Sequence, residues 1–206
     1  MEITVQMVKE LRDATGATVL ESKKALEQHD GNLEEARAYL NEQGLATAAK
    51  KAERDAREGL VETYTHPGGR VGVMLEVNCE TDFVANTDQF KALAHELALH
   101  VAFSNPQYLG VENVPEAVAE AEKTVYRQEA LAEGKPEDVV EKIVEGKLAK
   151  FYAEVCLLQQ PFVKDDEVTV SELVTQAIAE LKENIVVRRF ARFELGESGG
   201  EDESQA

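Results

Sequence analysis

Tryptophan is absent, aromatic residues make up only 6 % of the chain, and 206 residues contain two cysteines and five prolines. So few large rings argue against a thick β-sandwich core and for thin, helix-rich layers of Ala, Val and Leu. The two cysteines, Cys79 and Cys156, form no CxxC pair. They give no disulfide framework and fit a reducing compartment. Cations are scarce too: 22 Lys and Arg face 40 Asp and Glu, for a net charge of -18. Binding to a phosphate backbone depends on Lys and Arg that displace counterions, so direct nucleic-acid binding is not expected. An anionic membrane surface would repel the chain as well. No apolar run approaches the roughly 20 residues of a membrane span. Met1 to Lys9 has neither a signal-peptide core nor transit-peptide character. A cytoplasmic protein is expected.

Hydrophobic residues still reach 43 %, enough for a folded core. Ile3, Met7, Val8 and Leu11 recur at helical spacing, with Gly16 as a stop. Thr18 and Glu21 form a capping-box pattern opening a second helix. Asn32 and Glu35 open a third, which Gly44 is expected to close. Residues 1–44 therefore read as a small three-helix domain, at the lower limit of independent stability. Residues 45–58 are rich in Ala and read as a linker helix ended by Gly59.

From residue 59 the pattern changes to period two. Leu60 to His66 reads as a strand, Pro67-Gly68-Gly69 as a turn, and Val71, Val73, Leu75 and Val77 as the inner face of a hairpin partner. Thr81 to Asn86 is a short connector. Thr87 caps a helix that Asn105-Pro106 stops. A helical hairpin follows, with Val118, Val125 and Ala132 facing Val140, Val144, Leu148, Phe151 and Val155. It is expected to pack on the sheet. Pro161 to Glu167 reads as loop, and Ser171 as the cap of another helix. Ile185 to Glu194 reads as a last strand with Ile185, Val187, Ala191 and Phe193 on one face. The fold class is α+β: residues 59–195 form an antiparallel sheet with helices on one side. Residues 196–206 read as a disordered acidic tail.

The chain carries no phosphate-binding glycine loop, no HExxH and no EF-hand spacing. His29, His66, His95 and His100 are scattered. Acidic neighbours make Cys79 a poor nucleophile, and nothing supports a grouping of Ser104, His100 and Asp88. What stands out is Thr81-Asp82-Phe83-Val84. Read alone, Phe83 is either a plug that seats the next helix or an anchor for a partner's pocket.

Two segments resolve the choice by resemblance. Leu11-Arg12-Asp13-Ala14-Thr15-Gly16 with Lys23-Lys24-Ala25-Leu26, and Glu76 through Asn86, resemble the two signatures of the bacterial translation elongation factor Ts family. Gln160-Pro161-Phe162-Val163 and Glu183 through Phe190 resemble it further, in order. The resemblance implies a guanine-nucleotide exchange factor that binds elongation factor Tu, both GDP-bound and nucleotide-free. It implies no covalent chemistry and no cofactor of the chain's own. The first domain is then ubiquitin-associated-like and docks on the partner's G domain through Val8, Leu11, Arg12, Val19 and Leu20. Thr81, Asp82, Phe83 and Val84 are implied to dislodge the partner's Mg²⁺, with Phe83 inserted beside it. His100 matches a histidine near the core's contact with the partner. Thr18 departs from the Gly or Ser usual in the family. Longer family members carry two core repeats and this chain has room for one, which implies a homodimer completed across a shared sheet. Rival readings are a ubiquitin-associated-like adaptor and an acidic cysteine enzyme built on Cys79.

Overall fold

Most helix starts in this chain are written as caps. In a computed structural model that describes residues 3–197, the elements run α1 (Val5–Thr15), α2 (Val19–Gln28), α3 (Leu33–Lys51), β1 (Glu58–Thr65), β2 (Val71–Cys79), α4 (Asp82–Ala85), α5 (Asp88–Ser104), α6 (Glu116–Ala132), α7 (Glu137–Val155), β3 (Pro161–Phe162), β4 (Asp165–Thr169), α8 (Val170–Leu181) and β5 (Ile185–Glu194). Thr4, Thr18, Asn32, Thr81, Thr87 and Thr169 each sit at an N-cap and accept a backbone N–H of the first turn. Each such cap contributes about 1 kcal/mol. The expected capping box at Thr18 and Glu21 is present. Helix α8 is capped by Thr169 with Glu172, not by Ser171. Both residues are good caps, and the choice falls to the one with Glu three positions on.

Helix α3 also departs from expectation. It runs unbroken for 19 residues through Gly44, so there is no separate linker helix at 45–58. A helical glycine costs about 1 kcal/mol relative to alanine. The alanines that follow, and the packing of α3 on α8, outweigh that. The helix ends at Lys51, well before Gly59, which lies inside β1. Gly59 has φ 138°, and a Cβ there would meet the Val77 carbonyl oxygen at 2.1 Å. Its role is close approach of two strands, not helix termination.

The sheet is antiparallel with order β1-β2-β5. Val73, Leu75 and Val77 of β2 point inward onto Phe90, Leu93, Leu97 and Val101 of α5 and onto Val174 and Ile178 of α8. Each of these large side chains contributes roughly 1.5–3 kcal/mol by burial. Residues 161–167, expected as loop, include most of a small β3-β4 hairpin. Strand β5 is half as expected. Its register against β2 shifts between Glu76 and Val77, leaving Arg188 as the extra residue. The bulge flips the alternation. Ile185 and Val187 are buried, but Ala191 and Phe193 are on the opposite, exposed face, and Phe190 packs inward instead.

The helical hairpin of α6 and α7 has its own apolar seam of Tyr126, Ala130, Val140, Ile143 and Val144, which includes no residue of the sheet. It does not pack on the sheet as expected. The seam on α6 is also turned from the expected line: Val125 is exposed while Ala119 and Ala130 are buried. Small alanines admit the opposing helix where larger valines were expected to. Arg127–Glu141 and Lys147–Glu129 pairs cross the hairpin on its exposed sides.

His100 is a structural residue. It is fully buried on α5. Its Nε2 donates to Gln160 Oε1 at 2.9 Å, and its Nδ1 accepts the Val163 N–H at 3.2 Å. Gln160 in turn donates to the Glu154 carbonyl at 2.7 Å. The ring thus ties α5 to the end of α7 and to the β3-β4 hairpin, and no face of it is left for a partner. Burial pushes its pKa below the ordinary value, against a smaller opposing effect of Gln160. Below about pH 6.5 the unfolded chain takes up a proton at this position that the folded chain refuses, so stability falls with pH. In His100→Gln that dependence is gone. The melting-temperature advantage of the natural protein over this variant should shrink as pH drops through the window below about 6.5. A constant advantage would show that the buried imidazole does not titrate this way.

Candidate functional site

Strand β2 ends buried, and the chain must turn at once. Thr81 makes the turn. It is extended, and its Oγ1 accepts the Val84 N–H at 3.3 Å, capping the one-turn helix α4. One turn divides four residues by direction. Val84 and Ala85 face the core, while Asp82 and Phe83 face solvent. Phe83 is 80 % exposed. It is not a plug for α5. Val84, expected to act on a partner, is core, and its burial seats the turn from which Phe83 projects. Asn86 Nδ2 donates to the Asp82 carbonyl at 2.9 Å and Thr87 Oγ1 donates to the Val84 carbonyl at 2.7 Å, closing the turn from behind.

A second set of bonds comes from the loop between α8 and β5. Glu183 Oε2 accepts the N–H groups of Glu80 and Thr81 at 3.1 and 3.0 Å, and Thr81 Oγ1 donates to Glu183 Oε1 at 2.6 Å. The lock is reciprocal: the Asn184 N–H donates to Glu80 Oε1 at 2.6 Å. Asn184 Nδ2 donates to the Arg54 carbonyl at 2.9 Å, and Arg54 Nη1 reaches Glu80 Oε1 at 3.5 Å. Lys182 reaches this position in a left-handed conformation, φ 61°. Three segments far apart in the chain therefore meet behind the connector. Glu183 opens the segment through Phe190 that resembles the family, but its partners lie 102 and 103 positions away, so its contact with the connector could not be read locally.

The surroundings do not activate Cys79. Its thiol is buried and donates to the Thr81 carbonyl at 3.2 Å. Burial pushes its pKa up and the Glu183 carboxylate adds to the shift. Such a thiol is a poor nucleophile, which removes the support for the cysteine-enzyme reading. Lys51 lies near the same carboxylates. Burial pushes its pKa down, and the positive charge of Arg54 adds to that. Among the described residues no group of His, Cys, Asp and Glu is placed to hold a metal ion, and no helix is long and apolar enough to cross a membrane.

The first domain sorts its candidates the same way. Leu11 packs with Ala25, Leu26 and Ala36 in the centre of the three-helix cluster, so it is core and not a docking residue. Val8 is half-buried against that cluster. Val19 and Leu20 are exposed at the start of α2, and Arg12 is exposed beside Asp13. Val19 and Leu20 thus form a small exposed apolar pair on the capped first turn of α2.

The family model described as Elongation factor TS matches residues 2–197. The chain is 57 % identical over 195 residues to the elongation factor Ts of Heliobacterium modesticaldum, covering 95 % of this chain and 91 % of that protein. It is 56 % identical over 196 residues to that of Herpetosiphon aurantiacus, covering 95 % and 99 %. It is 55 % identical over 197 residues to that of Coprothermobacter proteolyticus, covering 96 % and 100 %. A match that spans both domains and the whole connector, at such identity, settles the family: the chain belongs to the elongation factor Ts family.

Proposed function

We propose that this protein binds the GDP form of elongation factor Tu and inserts Phe83 and Asp82 into its nucleotide site, loosening Mg²⁺ and then GDP so that GTP can be loaded. Family membership implies the exchange role itself. The observation that carries the mechanism is an aromatic ring held almost fully in solvent on a capped and braced turn, with a carboxylate beside it. GDP with Mg²⁺ is held on a G domain by a cation bridging phosphate and protein and by a phosphate-cradling loop. An exchange factor needs only to bind more tightly when those contacts are distorted. Every 1.4 kcal/mol or so of such preference weakens nucleotide binding tenfold. Burial of one Phe supplies about 1.5–3 kcal/mol, so the ring accounts for one or two powers of ten and docking area supplies the rest. Asp82 brings a negative charge that competes for the cation or its water shell.

Docking falls to the exposed residues of the first domain, Arg12, Val19 and Leu20, with Val8 and Leu11 supporting them from within. His100 supports the core from inside. The chain acts as a homodimer. The outer face of the sheet bears Val61, Met74 and Phe193, exposed by 55, 53 and 72 %, in the neighbouring cross-strand rows Val61–Glu76–Arg189, Thr63–Met74–Ala191 and Thr65–Gly72–Phe193. Glu76 and Arg189 neutralise each other on it at 2.8 Å, and Arg188 beside them is bonded to Asn78. A face of that kind suits a second copy of itself across a two-fold axis. The acidic tail read at 196–206 lies outside the described residues from 198 onward and has no part in this reading.

Three measurements test these assignments. Phe83→Ala should slow GDP release from elongation factor Tu at saturating factor by one to two powers of ten, the equivalent of about 1.5–3 kcal/mol, with melting temperature nearly unchanged. Full-rate exchange by that variant would sink the wedge. Leu20→Asp should raise the factor concentration for half-maximal exchange and leave melting alone, whereas Leu11→Ala should cost about 2–5 kcal/mol of stability. If Leu20→Asp binds elongation factor Tu as tightly as the natural protein, docking lies elsewhere. Light scattering should report about twice the 22.7 kDa chain mass, and Phe193→Asp should halve it. A natural chain that is monomeric while exchanging nucleotide would end the dimer claim.

A further inference from the structure

We infer that Glu183 is a positioning residue for exchange: its carboxylate fixes the direction in which Phe83 leaves the core. The inference rests on the reading of Phe83 as the wedge. A ring exposed to water makes almost no contacts of its own, so its aim is set by the backbone at Thr81. That backbone has two restraints. One is intrinsic, the burial of Val84 and Ala85. The other is Glu183, which takes the N–H of Glu80, the N–H of Thr81 and the hydroxyl of Thr81, all within 2.6–3.1 Å. The two amides it binds are those of the last residues before α4. They are also the residues whose φ and ψ set the angle between β2 and α4. The Thr81 hydroxyl is shared between the cap of α4 and this carboxylate, so loss of Glu183 frees the cap as well as the turn. Glu183 itself is anchored. The next residue, Asn184, is buried and bonded to Glu80 and to the Arg54 carbonyl. Strand β5 then pairs directly with β2. The carboxylate is thus carried on the sheet that the connector leaves, a rigid base for a short strut.

A strut of this kind acts in the loaded complex, when the ring is pushed against the partner. Without it the ring still docks, but it yields instead of distorting the site. The loss therefore belongs to the maximal rate and not to affinity, since misplacement of a reacting or wedging group by about 1 Å costs up to about a hundredfold.

Release of labelled GDP from Mg²⁺-loaded elongation factor Tu, measured across factor concentrations with the full-length protein, tests the inference. Glu183→Ala should lower the rate at saturation by on the order of tenfold to a hundredfold while the half-saturating concentration moves far less. Glu183→Asp keeps the charge but withdraws it by one methylene. It should show the same loss with the fold intact, and it decides the matter if the Ala variant does not fold. Glu183→Gln can still accept both amides and donate to the Thr81 hydroxyl, and should recover most of the rate. In a Phe83→Ala background, Glu183→Ala should add little further loss, because there is no ring left to aim. Natural saturating rates in both the Ala and Asp variants would overturn the inference, as would undiminished loss in the Phe83→Ala background. A Gln variant as slow as Ala would assign the effect to charge and overturn it too. Phe83→Ala alone separates the two claims. If it is slow and the Glu183 variants are fast, the positioning role fails and the wedge stands. If it is fast, the wedge fails and Glu183 has nothing to aim.

Discussion

An aromatic ring left in water cannot fix its own position. Exposing Phe83 forgoes about 1.5–3 kcal/mol of burial, and the ring does nothing in return to hold α4 in place. The turn must therefore be determined from behind. Val84 and Ala85 fill the core beneath it, Thr81 caps it, and Thr87 and Asn86 close it. Glu80 and Glu183 cross between two loops, each accepting backbone N–H groups of the other's segment. Two carboxylates so close together are tolerated because each accepts backbone donors, and because Lys51 and Arg54 stand near. The sheet serves the same end: β2 enters the turn and β5, beside it, leaves the brace.

That arrangement suits a protein whose chemistry takes place on another molecule. The proposed mechanism asks for no perturbed acid, nucleophile or metal of the chain's own. Both thiols are buried and shifted upward by that burial, and the one fully buried histidine is engaged at both nitrogens. A wedge works instead by differential binding, and linkage makes the effect mutual. Whatever the factor takes from nucleotide affinity, nucleotide takes from the factor's affinity. In the proposed mechanism, stiffness behind the ring decides how much of the docking energy reaches the nucleotide site, which gives Glu183 its proposed part.

Much of this was legible in the sequence, and the limits have physical causes. Period-two alternation in β2 and capping residues at Thr18, Asn32 and Thr87 are local signals, and the elements they predict are present. The exposed aspect of Phe83 was not decided locally, because so short a connector admits either direction. Resemblance favoured the outward one. Misreadings came where a tertiary contact overrode a local rule. Packing on α8 carries α3 through Gly44. A bulge at Arg188 turns Ala191 and Phe193 to the outer face, where alternation had put them inside. Leu11 and Val84 belong to segments that resemble binding motifs, yet their own side chains are core. Motifs preserve the scaffold of a site along with its contacts. Glu183 was in view only as the first residue of a segment resembling the family; its role was hidden because its partners lie 102 and 103 positions away.

The continuity of α3 alters how the two domains cooperate. A flexible linker would let the first domain bind independently and only raise the effective concentration of the core at the partner. Instead one helix of 19 residues, about 28 Å long, has its first half in the three-helix cluster and its second half, at Ala48, against the main core. Arg37 pairs with Glu167 at 2.8 Å and Gln176 reaches the Ala14 carbonyl at 3.4 Å, so the domains are tied at further points. A cavity of about 270 Å³ remains between them, yet the helix spans it as a strut. Helix α3 ends at Lys51, next to the segment whose carbonyls bind Asn184. The path from the three-helix cluster to Phe83 is therefore a helix, a braced loop and a one-turn cap, and its one helical glycine, Gly44, does not break α3. If the first domain docks as proposed, this continuity sets the register of Phe83 on the partner as well as its local concentration.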